Sequence, residues 1–158
     1  DLGLNSRQLS AYAIRLGSDC PFFIENQTAI ARGRGEILQP IPLYLTGYHL
    51  VLANPGIHVA TGWAFGQLNP HFPEKPIEEI CLLPVKKWQK AGIKNDFEKP
   101  VFGKYPAIES IQKILMEKGA DFAAMSGTGS TCFGFFSKDP GLSADDFPAG
   151  TLVKSFDL

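Results

Sequence analysis

The sequence predicts an α+β fold: an antiparallel sheet with helices packed against it. Three observations point there. After residue 47 the chain reads as strand, helix, strand, turn and strand, with two helices available to one side of a sheet. Two strand-like runs, Phe122 to Met125 and Thr131 to Phe136, are joined by the short Ser126 to Ser130 link. A parallel crossover needs about a dozen residues, so these neighbours must run antiparallel. Pro106 to Lys118 is the plainest helix, with Ile108, Ile111 and Leu115 on one face, proline in the first turn and Gly119 as the stop.

The other elements follow in order. Asn5 and Gln8 form a capping-box pattern that starts a helix, with Leu9, Ala13 and Leu16 on one face and Gly17 at its end. Pro21-Phe22-Phe23-Ile24 is a short apolar run that reads as a buried strand. Thr28 to Arg32 and Glu36 to Ile41 read as strands around a Gly33-Arg34-Gly35 turn. Pro40, Pro42 and Thr46-Gly47 mark a boundary between packing units. Tyr48 to Ala53 is a strand ended by Asn54-Pro55-Gly56, and Thr61 to Leu68 a short helix weakened by Gly62 and Gly66. Residues 69–84 hold four prolines and read as loop, with a turn at Ile77 to Ile80. Val85 to Ala91 reads as helical turns closed by Gly92, residues 137–150 as polar loop, and Thr151 to Phe156 as the last strand.

Composition narrows the function classes. Hydrophobic residues make up 44% of the 158, which is enough for a core and too many for intrinsic disorder. Lys plus Arg number 15 against 16 Asp plus Glu, so no global charge draws the chain to nucleic acid or to an anionic membrane. No apolar run approaches the roughly 20 residues of a membrane helix, and no signal-peptide pattern is visible. Cys20, Cys81 and Cys132 are odd in number and widely spaced, which speaks against disulfides and for a reducing, cytoplasmic setting. The chain starts at Asp1 and runs almost at once into a helix, the expected look of a piece of a longer protein.

Several segments could carry chemistry. Gly17-Ser18-Asp19-Cys20-Pro21 sets a carboxylate between two elements, where it could act as a general base or merely bond its own turn. Ser126-Gly127-Thr128-Gly129-Ser130-Thr131 packs two glycines and four hydroxyls into six residues. Its backbone N–H groups could cradle an anion, or the glycines could simply serve a hairpin. The loop is neither a P-loop nor a Rossmann fingerprint. His58, Thr61, Trp63 and Phe65 could hold a planar base by stacking and hydrogen bonding, or Trp63 and Phe65 could be core. Asn95-Asp96-Phe97-Glu98 could be a helix cap or a polar site, and is read by default as structural. His49, His58 and His71 lack metal-ligand spacing, so no protein-held metal is expected. Covalent hydrolase chemistry has no GxSxG elbow to support it.

Together these blocks resemble the GHMP kinases. Leu16-Gly17-Ser18-Asp19-Cys20-Pro21-Phe22-Phe23 is similar to that family's LGxDxPFF segment, and Gly33-Arg34-Gly35-Glu36-Ile37-Leu38 to the GxGExL that follows it. Asn54-Pro55-Gly56, Val59-Ala60-Thr61, Asn95-Asp96-Phe97-Glu98 and Met125-Ser126-Gly127-Thr128-Gly129-Ser130 come next in the family's order. The resemblance runs over nearly the whole chain. It implies a ferredoxin-like antiparallel sheet with helices on one face over residues 41–158, the family's C-terminal domain. Residues 1–40 would then be the tail of the N-terminal, ATP-binding domain. The family's catalytic lysine, its substrate-binding Tyr and His and its ATP-phosphate loop would lie in a first half this sequence lacks.

The resemblance also implies residue roles. Asp19 matches the family's catalytic aspartate, which deprotonates or orients the attacking hydroxyl. Gly127, Thr128, Gly129 and Ser130 match the loop beside the substrate and its phosphates. Thr61 and Phe65 match the wall around a cytidine. Gly62 stands where some members have proline, and residues 137–150 are shorter than the family's last helix. The implied reaction is ATP- and Mg²⁺-dependent phosphorylation of a small molecule, a cytidine diphosphate-linked methylerythritol, at its 2-hydroxyl, in non-mevalonate isoprenoid precursor synthesis. A mevalonate- or homoserine-type kinase of the same superfamily is the alternative. Without an ATP loop, these 158 residues alone would be a non-catalytic binding module.

Overall fold

The computed structural model describes residues 3–69 and 75–158. The expected positions Pro70, His71 and Pro73 lie outside the described residues. The chain packs as two compact units that divide between Tyr44 and Leu45.

The first unit is two short helices and a hairpin. Helix α1 covers Ser6–Ala13 and is opened by the expected capping box, in which Asn5 accepts from the Gln8 N–H and Gln8 accepts from the Asn5 N–H. The helix stops earlier than Gly17. Ile14 caps it in an ordinary helical conformation, and Leu16, expected on the buried face, is 86% exposed. Residues 20–25 correct a second expectation. The apolar run is helix α2, Cys20–Glu25, not a strand, and only Pro21 in it is buried. Pro21 sits in the first turn, where its fixed φ favours a helix and its missing N–H has no partner to lose. Asn26 ends the helix in the left-handed conformation. A run of four apolar residues carries no period, so these end signals decided the outcome. Strands β1 (Ala29–Arg32) and β2 (Ile37–Pro40) pair antiparallel across the expected turn.

The second unit is a four-stranded antiparallel sheet. Its strands are β3 (His49–Asn54), β4 (Phe122–Met125), β5 (Cys132–Phe136) and β6 (Leu152–Asp157), in spatial order β4-β5-β3-β6. Between β3 and β4 the chain crosses the sheet through helices α3 (Thr61–Gly66), α4 (Ile77–Ile80), α5 (Trp88–Ala91), α6 (Glu98–Lys104) and α7 (Pro106–Glu117). The sequence spacing does not predict α6, whose interior holds Pro100 and Gly103. Order and directions are those of a ferredoxin-like sheet, as expected.

The pleat sorts the core. Val51 and Ala53, Ala123 and Met125, and Cys132 and Phe136 turn to one face, where Ile108, Ile111 and Leu115 of α7 meet them fully buried. On the opposite face Trp88 from α5 packs edge-on against Phe122 and Phe135, and its ring N–H donates to the Leu83 carbonyl at 2.8 Å. Gly134 lets α7 approach the sheet: a Cβ there would lie 3.4 Å from Leu115 Cδ2, 3.3 Å from Ala120 Cβ and 3.0 Å from the Phe136 ring.

Overpacking of this kind typically costs ~1–3 kcal/mol. Gly134→Val is expected to lower the urea midpoint accordingly, whereas Gly141→Ala, in open space, tests only its turn. A Gly134→Val midpoint equal to the parent's would show that α7 does not rest on this position.

Candidate functional site

Two sets of residues carry the candidate chemistry, one in each unit. In the first unit Asp19 stands at the start of α2. Its side chain makes no cap bond, and among the described residues its carboxylate accepts no hydrogen bond. It is exposed. What fixes its surroundings is Gly35, in the turn between β1 and β2. Gly35 has φ +116°, and a Cβ there would collide with Asp19 Oδ1. Only glycine meets both demands, positive φ and no side chain. The turn is further braced by Glu36, whose Oε2 accepts from the Arg34 N–H at 2.6 Å. Backbone hydrogen bonds, chiefly at Glu36 itself and then at Arg34, hold that carboxyl below its usual range.

In the second unit the loop between β4 and β5 is the centre. Gly127 and Gly129 take φ +54° and +92°. The loop is closed by Ser126 N–H to the Thr131 carbonyl (2.8 Å) and Gly129 N–H to the Ser126 carbonyl (3.0 Å). Beneath it lies the Met125 side chain, whose sulfur a Cβ on Gly129 would meet at 2.8 Å. Thr61, the first residue of α3, brings its hydroxyl to 3.5 Å from that of Thr128. Two expected site positions, distant in sequence, therefore meet. Ser130 is buried at 6% exposure, and its hydroxyl donates to Asn54 Oδ1 at 3.4 Å. Phe65 is 60% exposed and rests edge-on against Phe97, ring centres 4.9 Å apart. It is thus held on one side and open on another. Trp63 instead packs edge-on with Tyr105 and carries the Lys104 ammonium 4.0 Å above its ring.

The sequence reading missed the residues that hold this loop. Asn95 Nδ2 donates to both the Met125 and Gly127 carbonyls at 2.7 Å, while its Oδ1 accepts from the Phe97 N–H at 3.0 Å. Glu98 Oε1 accepts from the Met125 N–H at 2.8 Å and from Gln112 Nε2 at 3.1 Å, and Gln112 also donates to the Ala123 carbonyl. On the other flank Asn54 Nδ2 donates to Thr131 Oγ1 at 2.8 Å, and its Oδ1 accepts from Gly56 N–H. The Asn95 to Glu98 block is structural, as expected, but its partners lie on the loop and not only at a helix start. The one available signal was two polar residues three apart, ahead of a helix.

Electrostatics separates two groups near the loop. Burial raises the Glu98 carboxyl, against the Met125 and Gln112 hydrogen bonds that favour its charge. Burial, and secondarily the Glu98 charge, push the Cys132 thiol up to about 12, so it is no thiolate nucleophile at neutral pH. Among the described residues no cluster of three or more His, Cys, Asp or Glu side chains could hold a metal ion, and no helix is long and apolar enough to cross a membrane.

Residues 77–144 match the family described as GHMP kinases C terminal. The matched span holds α4 to α7, β4, the glycine-rich loop and β5 of the second unit. Three similar proteins share one name. A 4-diphosphocytidyl-2-C-methyl-D-erythritol kinase of Bacteroides fragilis (strain YCH46) is 47% identical over 149 residues, 94% of this chain and 54% of that protein. One from Bacteroides thetaiotaomicron is 43% identical over 155 residues, 98% of this chain and 56% of its own. One from Porphyromonas gingivalis is 35% identical over 144 residues, 89% and 52% respectively. A crystal structure of a 4-(cytidine 5'-diphospho)-2C-methyl-D-erythritol kinase superposes with TM-score 0.67 at 30% identity, over 84% of this chain and 48% of that one. The chain spans about half the length of the curated relatives it matches.

Glu98 gives a test with a defined sign. Its folded pKa is raised, so the native state holds the proton more tightly than the unfolded chain does. That contribution to stability is full below the unfolded pKa and is lost as pH rises through the folded one. Glu98→Gln keeps the acceptor oxygen and has no charge to bury, so its stability relative to the parent should increase as pH rises through that window. Glu98→Ala leaves the Met125 N–H without an acceptor and should cost ~1–3 kcal/mol. Urea unfolding of the three proteins between pH 4 and 8 measures both, and parallel Glu98→Gln and parent curves would remove the buried charge from the account.

Proposed function

We propose that the chain is the C-terminal part of an ATP-dependent small-molecule kinase, one that phosphorylates the 2-hydroxyl of 4-diphosphocytidyl-2-C-methyl-D-erythritol. Residues 1–40 are read as the tail of the ATP-binding domain. The observation that carries the reading is the likeness to curated kinases of that name, 47% identical across 94% of this chain. The pinned glycine loop, its adjacent threonines and the exposed Phe65 supply the matching chemistry. The setting is the cytoplasm, consistent with three free cysteines.

Each residue has a definable task. Asp19, whose carboxylate has no partner among the described residues, takes the proton of the substrate hydroxyl. The oxygen's electron pair forms a bond to the γ-phosphorus of ATP, the bond to the bridging oxygen breaks, and ADP leaves. Gly127, Thr128, Gly129 and Ser130 hold phosphate oxygens, and Thr61, beside Thr128, lines the cytidine end. Phe65 stacks on the cytosine ring. ATP is the phosphoryl donor and Mg²⁺ its usual companion. The described residues form no metal site, and no step assigned to this chain runs through one.

The experiment is ADP release by the kinase containing this chain, with Mg-ATP and 4-diphosphocytidyl-2-C-methyl-D-erythritol, mevalonate or homoserine. Selective turnover of the cytidylyl substrate is expected. Turnover of another alcohol alone would move the protein to a sister branch of the superfamily. In the same assay Asp19→Asn should lower kcat by about 10²–10⁴-fold, with nucleotide affinity retained. Near-parental kcat would remove Asp19 from the chemistry. Phe65→Ala should raise KM for the cytidylyl substrate about tenfold or more, the scale of a lost stacked base, and an unchanged KM would leave Phe65 without that role.

A further inference from the structure

We propose that Asn95 is a positioning residue that aims the Thr128 N–H outward as a donor to a substrate phosphate, with Glu98 anchoring the strand end from which the loop springs. This rests on the reading of the loop as a phosphate cradle. The argument begins with one amide group. Asn95 Nδ2 has two hydrogens and uses them on two carbonyls, Met125 and Gly127, each at 2.7 Å.

In a planar trans peptide, C=O and N–H point in opposite directions. Fixing the Met125 carbonyl on Asn95 therefore turns the Ser126 N–H to the other side, and there it donates to the Thr131 carbonyl at 2.8 Å. The same geometry applies one link further. The Gly127–Thr128 peptide is trans, so holding the Gly127 carbonyl on Asn95 turns the Thr128 N–H away from it. Among the described residues that N–H has no acceptor. It belongs to the residue whose hydroxyl lies 3.5 Å from Thr61 Oγ1.

Asn95 is itself held. Its Oδ1 accepts from the Phe97 N–H, and three residues on, at the start of α6, Glu98 takes the Met125 N–H. Asn95 and Glu98 thus grip the N–H and C=O of a single residue, Met125, and Asn95 reaches on into the loop. Asn95 touches no reacting atom in this scheme; it acts through Thr128.

The test uses amide NMR on this chain with inorganic pyrophosphate as the probe. Asn95→Asp keeps the acceptor for Phe97 and puts a carboxylate where both donors were. Expected is about tenfold or faster exchange at the Ser126 and Gly129 amides, and about tenfold or weaker pyrophosphate binding read at the Thr128 amide. Val51 and Ala53 amides should keep their protection. Lys113→Ala, on the exposed side of α7, should match the parent in both readouts. If Asn95→Asp loses Val51 and Ala53 protection, Asn95→Ala replaces it with the same expectations. A parent whose Thr128 amide does not respond to pyrophosphate overturns the phosphate reading of the loop. A parent that responds, with an Asn95 variant of equal affinity and equal loop exchange, overturns the role of Asn95.

Discussion

The second unit depends on how the open edge of β4 is satisfied. This strand ends the sheet, so the N–H and C=O groups on its outer side have no strand to pair with. They are met instead by side chains. Gln112 takes the Ala123 carbonyl, Glu98 the Met125 N–H and Asn95 the Met125 carbonyl. The three act as a substitute strand built from the residues before and within α6 and from α7. Leaving any one of these buried backbone groups unmet would cost on the order of 1–3 kcal/mol. The helices are therefore tied to the sheet by polar bonds at its edge as well as by the apolar contacts of Ile108, Ile111 and Leu115 on its face.

That arrangement explains why the glycine-rich loop can be both short of side chains and fixed in shape. Glycines at φ +54° and +92° lose more freedom on folding than other residues would. The loop is nonetheless clamped from three directions: Asn95 on its first half, Asn54 on its second, and Met125 beneath. In the first unit the same economy appears in miniature. Gly35 has no Cβ, and Asp19 occupies the room that a Cβ would have filled.

Much of this was legible in the sequence, for local reasons. The capping box at Asn5, the turn at Gly33 to Gly35, the hairpin at Ser126 to Ser130 and the stripe on α7 are each written within a few residues, and each formed as read. The failures are equally instructive. Pro21 to Ile24 is too short to show a period, and its helix was decided by a proline at the start and an asparagine after the end. Leu16 follows the α1 stripe by spacing, but the helix ends before reaching it. Of the positions expected at a site, Thr61 and Thr128 lie side by side, their hydroxyls 3.5 Å apart. Asn95 reads as a cap because its partner at Phe97 is local, whereas its partners at Met125 and Gly127 lie 30 and 32 residues on. No spacing rule reaches that far.

The double use of Asn95 and Glu98 has a consequence for how such a site tolerates change. A residue that only lined the loop could vary with the ligand at little cost to folding. One that also fills the edge of β4 cannot, because any replacement must still supply the same donors or acceptor to Met125. Glu98 carries a further tension: burial disfavours its charge while the Met125 and Gln112 hydrogen bonds favour it. A glutamine would relieve that tension and keep the acceptor, so folding alone does not require a carboxylate at this position. Asn95 is different. Two donors on one nitrogen and an acceptor on the same planar group are needed at once, and an aspartate of the same shape supplies only the acceptor. The loop's geometry therefore depends on Asn95 as well as on the glycines that give it its positive-φ turns.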